Sequence, residues 1–470
     1  MTLSLSSVKA AASSYGTEIR ALRPGEILLF LLVNLLLFQR ALEQVIPVFS
    51  NVDELVTVGC GALCLVRWKR GSLLPQERWS IVLLGVVFLI TLAGNVVYGY
   101  QSSMSGIAVD AFTCVKFFVT YYCCIQFLGD TNRVVRFLAD ECKLLFAVML
   151  VFAVLNFAGV VNMTYEVKYG IPSFHFIFEH PTFQSAMMVG LLCVFVASRR
   201  PHGILIALAC LMIALGLRTK GLVFCAIFLF LYLLKRSGKK IPLPIMVGVG
   251  VVLVFVFGWS QLMYYLENDG FARTAMTKAA FVVGADAFPL GTGFATYGSW
   301  MSAVHYSPLY DMYNLSSVYG LSRDYSEFIT DTFWPIVIGQ AGFIGAVLFA
   351  VALGLMIYAA YKRSRGAGNY LILGTGFLYL LISSTAETAF FNPWSVYLAV
   401  MMGVALAAAR ARRTDGDAVP VASTGRHAQG DQGARAADAT PEASGAATYV
   451  PRHGEGASTA GTRTQDGPAA

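Results

Sequence analysis

FWPIVIGQAGFIGAVLFAVALGLMIYAAY, residues 333–361, carries no charged side chain and is long enough to cross a hydrocarbon core of roughly 30 Å at about 1.5 Å per residue. A run of this length reads as a membrane-spanning helix rather than a buried strand. Asp331 stands before it, and Lys362, Arg363 and Arg365 stand behind it. Working outward, comparable runs lie near 27–46, 53–68, 80–97, 107–128, 144–163, 182–198, 204–217, 222–234, 243–262, 370–386 and 393–409. The expected fold is all-α and polytopic, with about twelve transmembrane helices over 27–409. A large loop, 263–332, separates the ninth and tenth spans. Residues 1–26 form a cytoplasmic N-terminal segment and 410–470 a cytoplasmic tail.

Composition agrees with this reading. The chain is 57% hydrophobic and only 13% charged, whereas soluble domains carry about a quarter charged residues. The net charge of +7 follows membrane topology rather than a nucleic-acid footprint. With the N-terminus inside, the cytoplasmic loops hold nineteen Lys and Arg, among them Arg133, Arg136, Lys239, Lys240, Arg363 and Arg410. The outer loops hold six: Lys168, Arg218, Lys220, Arg273, Lys278 and Arg323. That asymmetry puts the large loop on the outer side of what is expected to be an inner membrane. The first apolar run is long enough to span and no A-x-A site follows it, so no cleavable signal peptide is expected. From Thr414 on, the tail is rich in Ala, Gly, Thr and Asp and should be disordered. The nine cysteines show no CxxC pair and no Cys/His metal spacing, and read as packing residues. No metal and no cofactor are expected.

Candidate chemistry gathers on the outer side. RTKG puts Arg218 and Lys220 between two short spans, where positive charge is disfavoured without an anion. FARTAMTKAAFVVG reads as an amphipathic helix presenting Arg273, whose guanidinium suits a phosphate. PLGTGFATYGSW follows it; Gly291 and Gly293 permit a tight turn or close approach to a ligand, without the strand–GxGxxG–helix context of a dinucleotide site. HYSPLYDMYNLSSVYGLSRDYSEFITD supplies His305, a candidate base, and tyrosines that could stack on sugars. SFHFIFEHPTF adds His175 and His180 in another outer segment. Asp331 is a candidate base or a helix cap. Within the spans, Arg40 and Glu43 should pair at i,i+3. Lys116 lies deep, with Asp110 on a different face, and needs either a function or an interhelical partner.

The order RTKG, loop arginine, FPLGTGFATYG, long loop, DTFWPIVIGQAGFIG resembles the O-antigen ligase and polysaccharide polymerase superfamily of bacterial membrane glycosyltransferases. The specific motifs lie between Arg218 and Gly345. The resemblance implies metal-independent glycosyl transfer from an undecaprenyl-pyrophosphate-linked oligosaccharide on the periplasmic face, without a nucleotide sugar. By position it implies Arg218, Arg273 and His305 as catalytic, and Lys220, Gly291, Gly293, Tyr297, Tyr306, Tyr310 and Asp331 as substrate-binding. A flippase and a chain-length regulator would be partners; no nucleic acid would be. HYSPLYDMYN stands where many ligases carry a His-x-His-Asn-like segment, so polymerase is favoured over ligase. A transporter of polysaccharide or small solutes is the alternative from another class. It would be expected to show paired, Gly- or Pro-broken helices in two halves. A scaffold without chemistry would tolerate loss of the outer cations.

Overall fold

A computed structural model describes residues 23–67, 71–168, 170–198, 202–237, 248 and 271–417. The expected ninth span, 243–262, lies outside the described residues but for residue 248, as do most of 1–26 and the tail beyond 417. The described chain is mostly helical. In order come α1 (Pro24–Leu37), α2 (Gln39–Glu43), α3 (Val52–Arg67), α4 (Pro75–Tyr98), α5 (Met104–Phe127) and α6 (Asn132–Phe157). A hairpin of β1 (Thr164–Lys168) and β2 (Ile171–Phe174) leads to α7 (Pro181–Ala197), α8 (Gly203–Leu215) and α9 (Thr219–Arg236). After the gap come α10 (Ala272–Asp286), α11 (Trp300–Val304), α12 (Leu309–Met312), α13 (Trp334–Gly366), α14 (Leu371–Ser383) and α15 (Pro393–Asp417). Five helical segments, Pro47–Arg67, Pro75–Tyr98, Met104–Phe127, Trp334–Gly366 and Pro393–Thr414, are long and apolar enough to cross a membrane.

The other expected spans within the described residues also fall on helices, with shifted ends. The run at 27–46 divides at Phe38, which leaves the helical region at ψ 10°. The run at 144–163 belongs to α6, which begins at Asn132 and ends at Phe157. Its polar first half hides the helix from a hydropathy reading. Local signals mark several boundaries. Pro75 opens α4, the Leu74 N–H donates to Glu77 Oε2 at 2.8 Å, and Gly99 closes the helix in the left-handed region.

α15 is the buried axis and packs against α5, α7, α14 and α6. Around it α3, α4 and α6 expose many large apolar side chains, such as Leu55, Val86, Leu89 and Val151, with exposed charges such as Arg78 and Arg136 near helix ends. That pattern suits a lipid solvent, in which close packing rather than hydrophobicity joins helices. Gly190 shows it: a Cβ there would enter the ring of Tyr397, whose hydroxyl donates to Met187 O at 3.1 Å.

Charge inside the helical body is paired. Lys116 Nζ lies 2.6 Å from Asp53 Oδ2, and Gln39 Nε2 donates to Asp53 Oδ1 at 2.9 Å. Lys116 is therefore an interhelical structural cation. Arg40 and Glu43 pair at 2.8 Å as their spacing demands. At the opposite end of α4, Glu77 is clasped by Arg363 of α13.

The loop after α10 is a small packed layer, not an open excursion. Its core holds Met276, Ala280, Val283, Tyr297, Leu309, Tyr310, Leu321 and Ile329. The layer is seated where α13 breaks. Gly342 has φ 70° and ψ −179°, so the helical ladder is interrupted. The freed carbonyls find loop donors: Thr292 N to Gly339 O at 3.0 Å and Gly293 N to Gln340 O at 2.9 Å. Gly291 meets the backbone of Ala341 and Gly342, and Gly293 meets Asn95. Asp110 Oδ2 accepts from Ala295 N at 2.6 Å and Gln340 Nε2 at 2.9 Å. Both glycines are buried, and what each closely approaches is protein: main chain at Gly291, and the main chain and side chain of Asn95 at Gly293.

Lys116→Met leaves Asp53 as an unpaired buried charge and should cost about 3–5 kcal/mol. The double variant Asp53→Asn/Lys116→Met should recover most of that, read as unfolding temperature of detergent-purified protein.

Candidate functional site: a carboxylate-paired cation cluster

Arg218 is the N-cap residue of α9, in the turn that joins α8 to α9. Leu217 before it sits at φ 49°, an uncommon value for a branched apolar residue. That local strain is held by Ser173 of β2, whose hydroxyl donates to Gly216 O at 2.7 Å. The same bond docks the hairpin, so β1 delivers Tyr165 and Glu166 to the arginine. Arg218 Nη1 lies 3.1 Å from Glu166 Oε1, and its guanidinium carbon sits 4.8 Å from the Tyr165 ring centre. Nη2 lies 3.0 Å from His180 Nε2.

Lys220 Nζ is 2.5 Å from Glu387 Oε1. Arg273, on α10, pairs through Nη2 with Asp331 Oδ2 at 2.9 Å. Three cations from two elements therefore meet three carboxylates from three others. They share one field. Burial works against the Lys220 charge, Glu387 works for it, and Arg218 and Arg273 both oppose it. His180 feels the same field. Burial, followed by Arg218, Lys220, His175 and Lys168, pushes its imidazole down to about 3, so the ring is neutral at physiological pH. Among the described residues, no group of His, Cys, Asp and Glu could hold a metal ion.

The expected site residues divide sharply. Arg218, Lys220 and Arg273 come together. Asp331 is the counter-ion of Arg273 and does not cap α13, whose N-cap is Phe333 with no side-chain cap bond. His305 is exposed and lies against Gly106 at the start of α5, with its carbonyl taking Gln101 Nε2 at 3.2 Å. Among the described residues, no contact joins it to the cations. Tyr297 and Tyr310 are wholly buried: Tyr297 donates to Met276 O at 2.5 Å, and the Tyr310 hydroxyl accepts from Gly298 N at 2.8 Å. Neither offers a sugar a face, which corrects that expectation. Tyr306 donates to Leu321 O, and Arg323 already covers its ring at 5.0 Å. The face the loop does present is Tyr319, 73% exposed and 5.1 Å from the ring of Tyr325.

Of the residues around the cations, Glu166 and Glu387 are absent from the sequence reading, and His180 enters it only as one of two histidines in an outer segment. Signals existed for two of them. His-Pro ahead of an apolar run is a helix-start signature that places the histidine at a helix mouth. Glu387 is the only acid between Asp331 and Asp415. Glu166 had none, because a five-residue strand in an outer loop is invisible beside the spans.

No family model matches the chain, and no curated protein matches it. The class defined by fold and site is a mostly helical protein, with helices able to cross a membrane, that gathers a paired cation cluster around a neutral histidine.

The imidazole of His180 takes a proton near 6.5 when unfolded but only near 3 when folded. Between these values the unfolded state binds the extra proton, so stability is lost as pH falls below 6.5 and is intact above it. The unfolding temperature of the protein should drop more between about pH 7 and about pH 5 than that of His180→Asn.

Proposed function

We propose that this protein polymerises undecaprenyl-pyrophosphate-linked oligosaccharide units on the periplasmic face of the bacterial inner membrane. The observation that carries the reading is the grouping of Arg218 and Lys220, at the start of α9, with Arg273 of α10, near enough that both arginines oppose the Lys220 charge. A pyrophosphate carries enough negative charge to engage all three, and a guanidinium grips phosphate oxygens in bidentate fashion. The reading includes about twelve spans and a periplasmic loop at 263–332; the Lys and Arg asymmetry of the loops supports that orientation.

In the transfer, the acceptor hydroxyl attacks the anomeric carbon of the donor while the bond to the pyrophosphate oxygen breaks. The electron pair leaves with the pyrophosphate, and the growing charge falls on Arg218, Lys220 and Arg273. A phosphate that enters must displace Glu166, Glu387 or Asp331 from its cation. A carboxylate left beside phosphate gains proton affinity and becomes a natural acceptor for the hydroxyl proton. His305 lacks contact with the cluster, so its expected role as base is not part of this reading. HYSPLYDMYN favours polymerase over ligase, and exposed Tyr319, set 5.1 Å from the half-buried ring of Tyr325, suits a long glycan.

Arg218→Ala and Arg273→Ala should each lower polymer formation by about a hundredfold or more, with membrane abundance unchanged. Glycan sizing in a strain that carries only the variant reads this; one repeat unit on lipid is expected. Full-length polymer from both variants would overturn the assignment.

A further inference from the structure

A neutral imidazole has one N–H and one lone pair. Both ring nitrogens of His180 face donors: Thr182 N–H at 3.1 Å from Nδ1, and Arg218 Nη2 at 3.0 Å from Nε2. Only one of them can be satisfied. Thr182 N–H is one of the unpaired donors at the start of α7, fixed by the main chain behind Pro181, and His180 is its N-cap. The guanidinium rides on a long stem and can move. The lone pair therefore belongs at Nδ1 and the hydrogen at Nε2. Nε2–H and Arg218 Nη2–H, 3.0 Å apart, are then two donors at one space, and the carboxylate at Arg218, Glu166, meets Nη1 instead. Among the described residues, Arg218 Nε has no hydrogen-bond partner.

We propose that this space takes an oxygen of a phosphate or pyrophosphate group, held jointly by the neutral His180 Nε2–H and Arg218. The proposal rests on the function proposed above and names a further binding residue for it. Tyr165 orients both donors: its ring lies 4.5 Å from the His180 ring, edge to face, and under the Arg218 guanidinium. Burial and the charges of Arg218, Lys220, His175 and Lys168 keep the imidazole uncharged, while Glu166 is the carboxylate that pairs with Arg218 among the described residues. A neutral ring can cap the helix through Nδ1 and donate through Nε2 at once; an imidazolium would lose the cap.

The test uses the purified full-length protein in nanodiscs of zwitterionic lipid, titrated with inorganic pyrophosphate by calorimetry. A second arm uses nanodiscs that contain phosphatidylglycerol. Asn is a strong N-cap and reproduces the Nδ1 acceptor only, so His180→Asn should fold normally yet bind about tenfold more weakly. Gln places its amide nitrogen near Nε2, so His180→Gln should keep the affinity while its unfolding temperature falls. Wild-type affinity in His180→Asn, or loss of binding in His180→Gln, would overturn the proposal. Phosphatidylglycerol retained through His180, with no pyrophosphate bound, would uphold the donor assignment and overturn the glycosyl-transfer reading instead. No anion bound by the wild-type protein in either arm would overturn both.

Discussion

Two glycine backbones touch where α13 breaks, and the outer layer hangs on that contact. Gly342 interrupts the helical ladder, and Gly291 fits against it because neither residue has a Cβ. The carbonyls released by the break would be costly in an apolar setting, so Thr292 and Gly293 donate to them. Asp110 and Asn95, from α5 and α4, hold the next loop residues, Ala295 and Phe294. Once this seam is closed, the chain on either side of it is positioned. α10 brings Arg273, and the entry to α13 brings Asp331. The seam is therefore structural in its chemistry and functional in its consequence.

Exposure separates the buried ion pair inside the helical body from the ion pairs of the cation cluster. Lys116 and Asp53 are 5% and 1% exposed, with Gln39 completing the carboxylate's bonds. Such a pair has no room for a ligand. Arg218 and Glu166 are 21% and 35% exposed, and Arg273 and Asp331 are 31% and 33% exposed. These pairs are open enough for exchange, and exposed ion pairs hold together weakly. A multiply charged anion that meets several cations at once can displace carboxylates that each meet one. The paired state thus stores the cluster without committing it, and keeps three cations tolerable at one site.

The expectations succeeded where one periodicity or one local signal suffices. The apolar runs at 80–97, 107–128 and 333–361 became helices because no other structure satisfies the backbone over such lengths in lipid. The amphipathic run around Arg273 became α10 for the same local reason. Arg218, Lys220 and Arg273 stand out because the charge tally leaves few cations among their loops, and each meets a carboxylate in the structure. The tyrosines misled because composition records how many aromatic rings a loop has, not which way they face. Tyr297 and Tyr310 fill the core of the layer, and Tyr319 alone among them is broadly presented. His305 lies against Gly106 and Gln101, a contact that its place in the chain beside the motif does not reveal.

What the sequence determined by itself is the apolar character and position of most helices and the presence of Arg218, Lys220 and Arg273 between them, since each follows from the residue types in a short window. Only the tertiary structure decided the partners. Glu166 reaches Arg218 through a small hairpin, Glu387 reaches Lys220 from the turn between α14 and α15, and His180 reaches Arg218 from the mouth of α7. These contacts join segments far apart in the chain, and the potential that holds His180 neutral sums charges from all of them. No local window contains such a sum. The run at 333–361 shows both sides: its length fixed a helix, but only the approach of Gly291 explains why that helix breaks at Gly342.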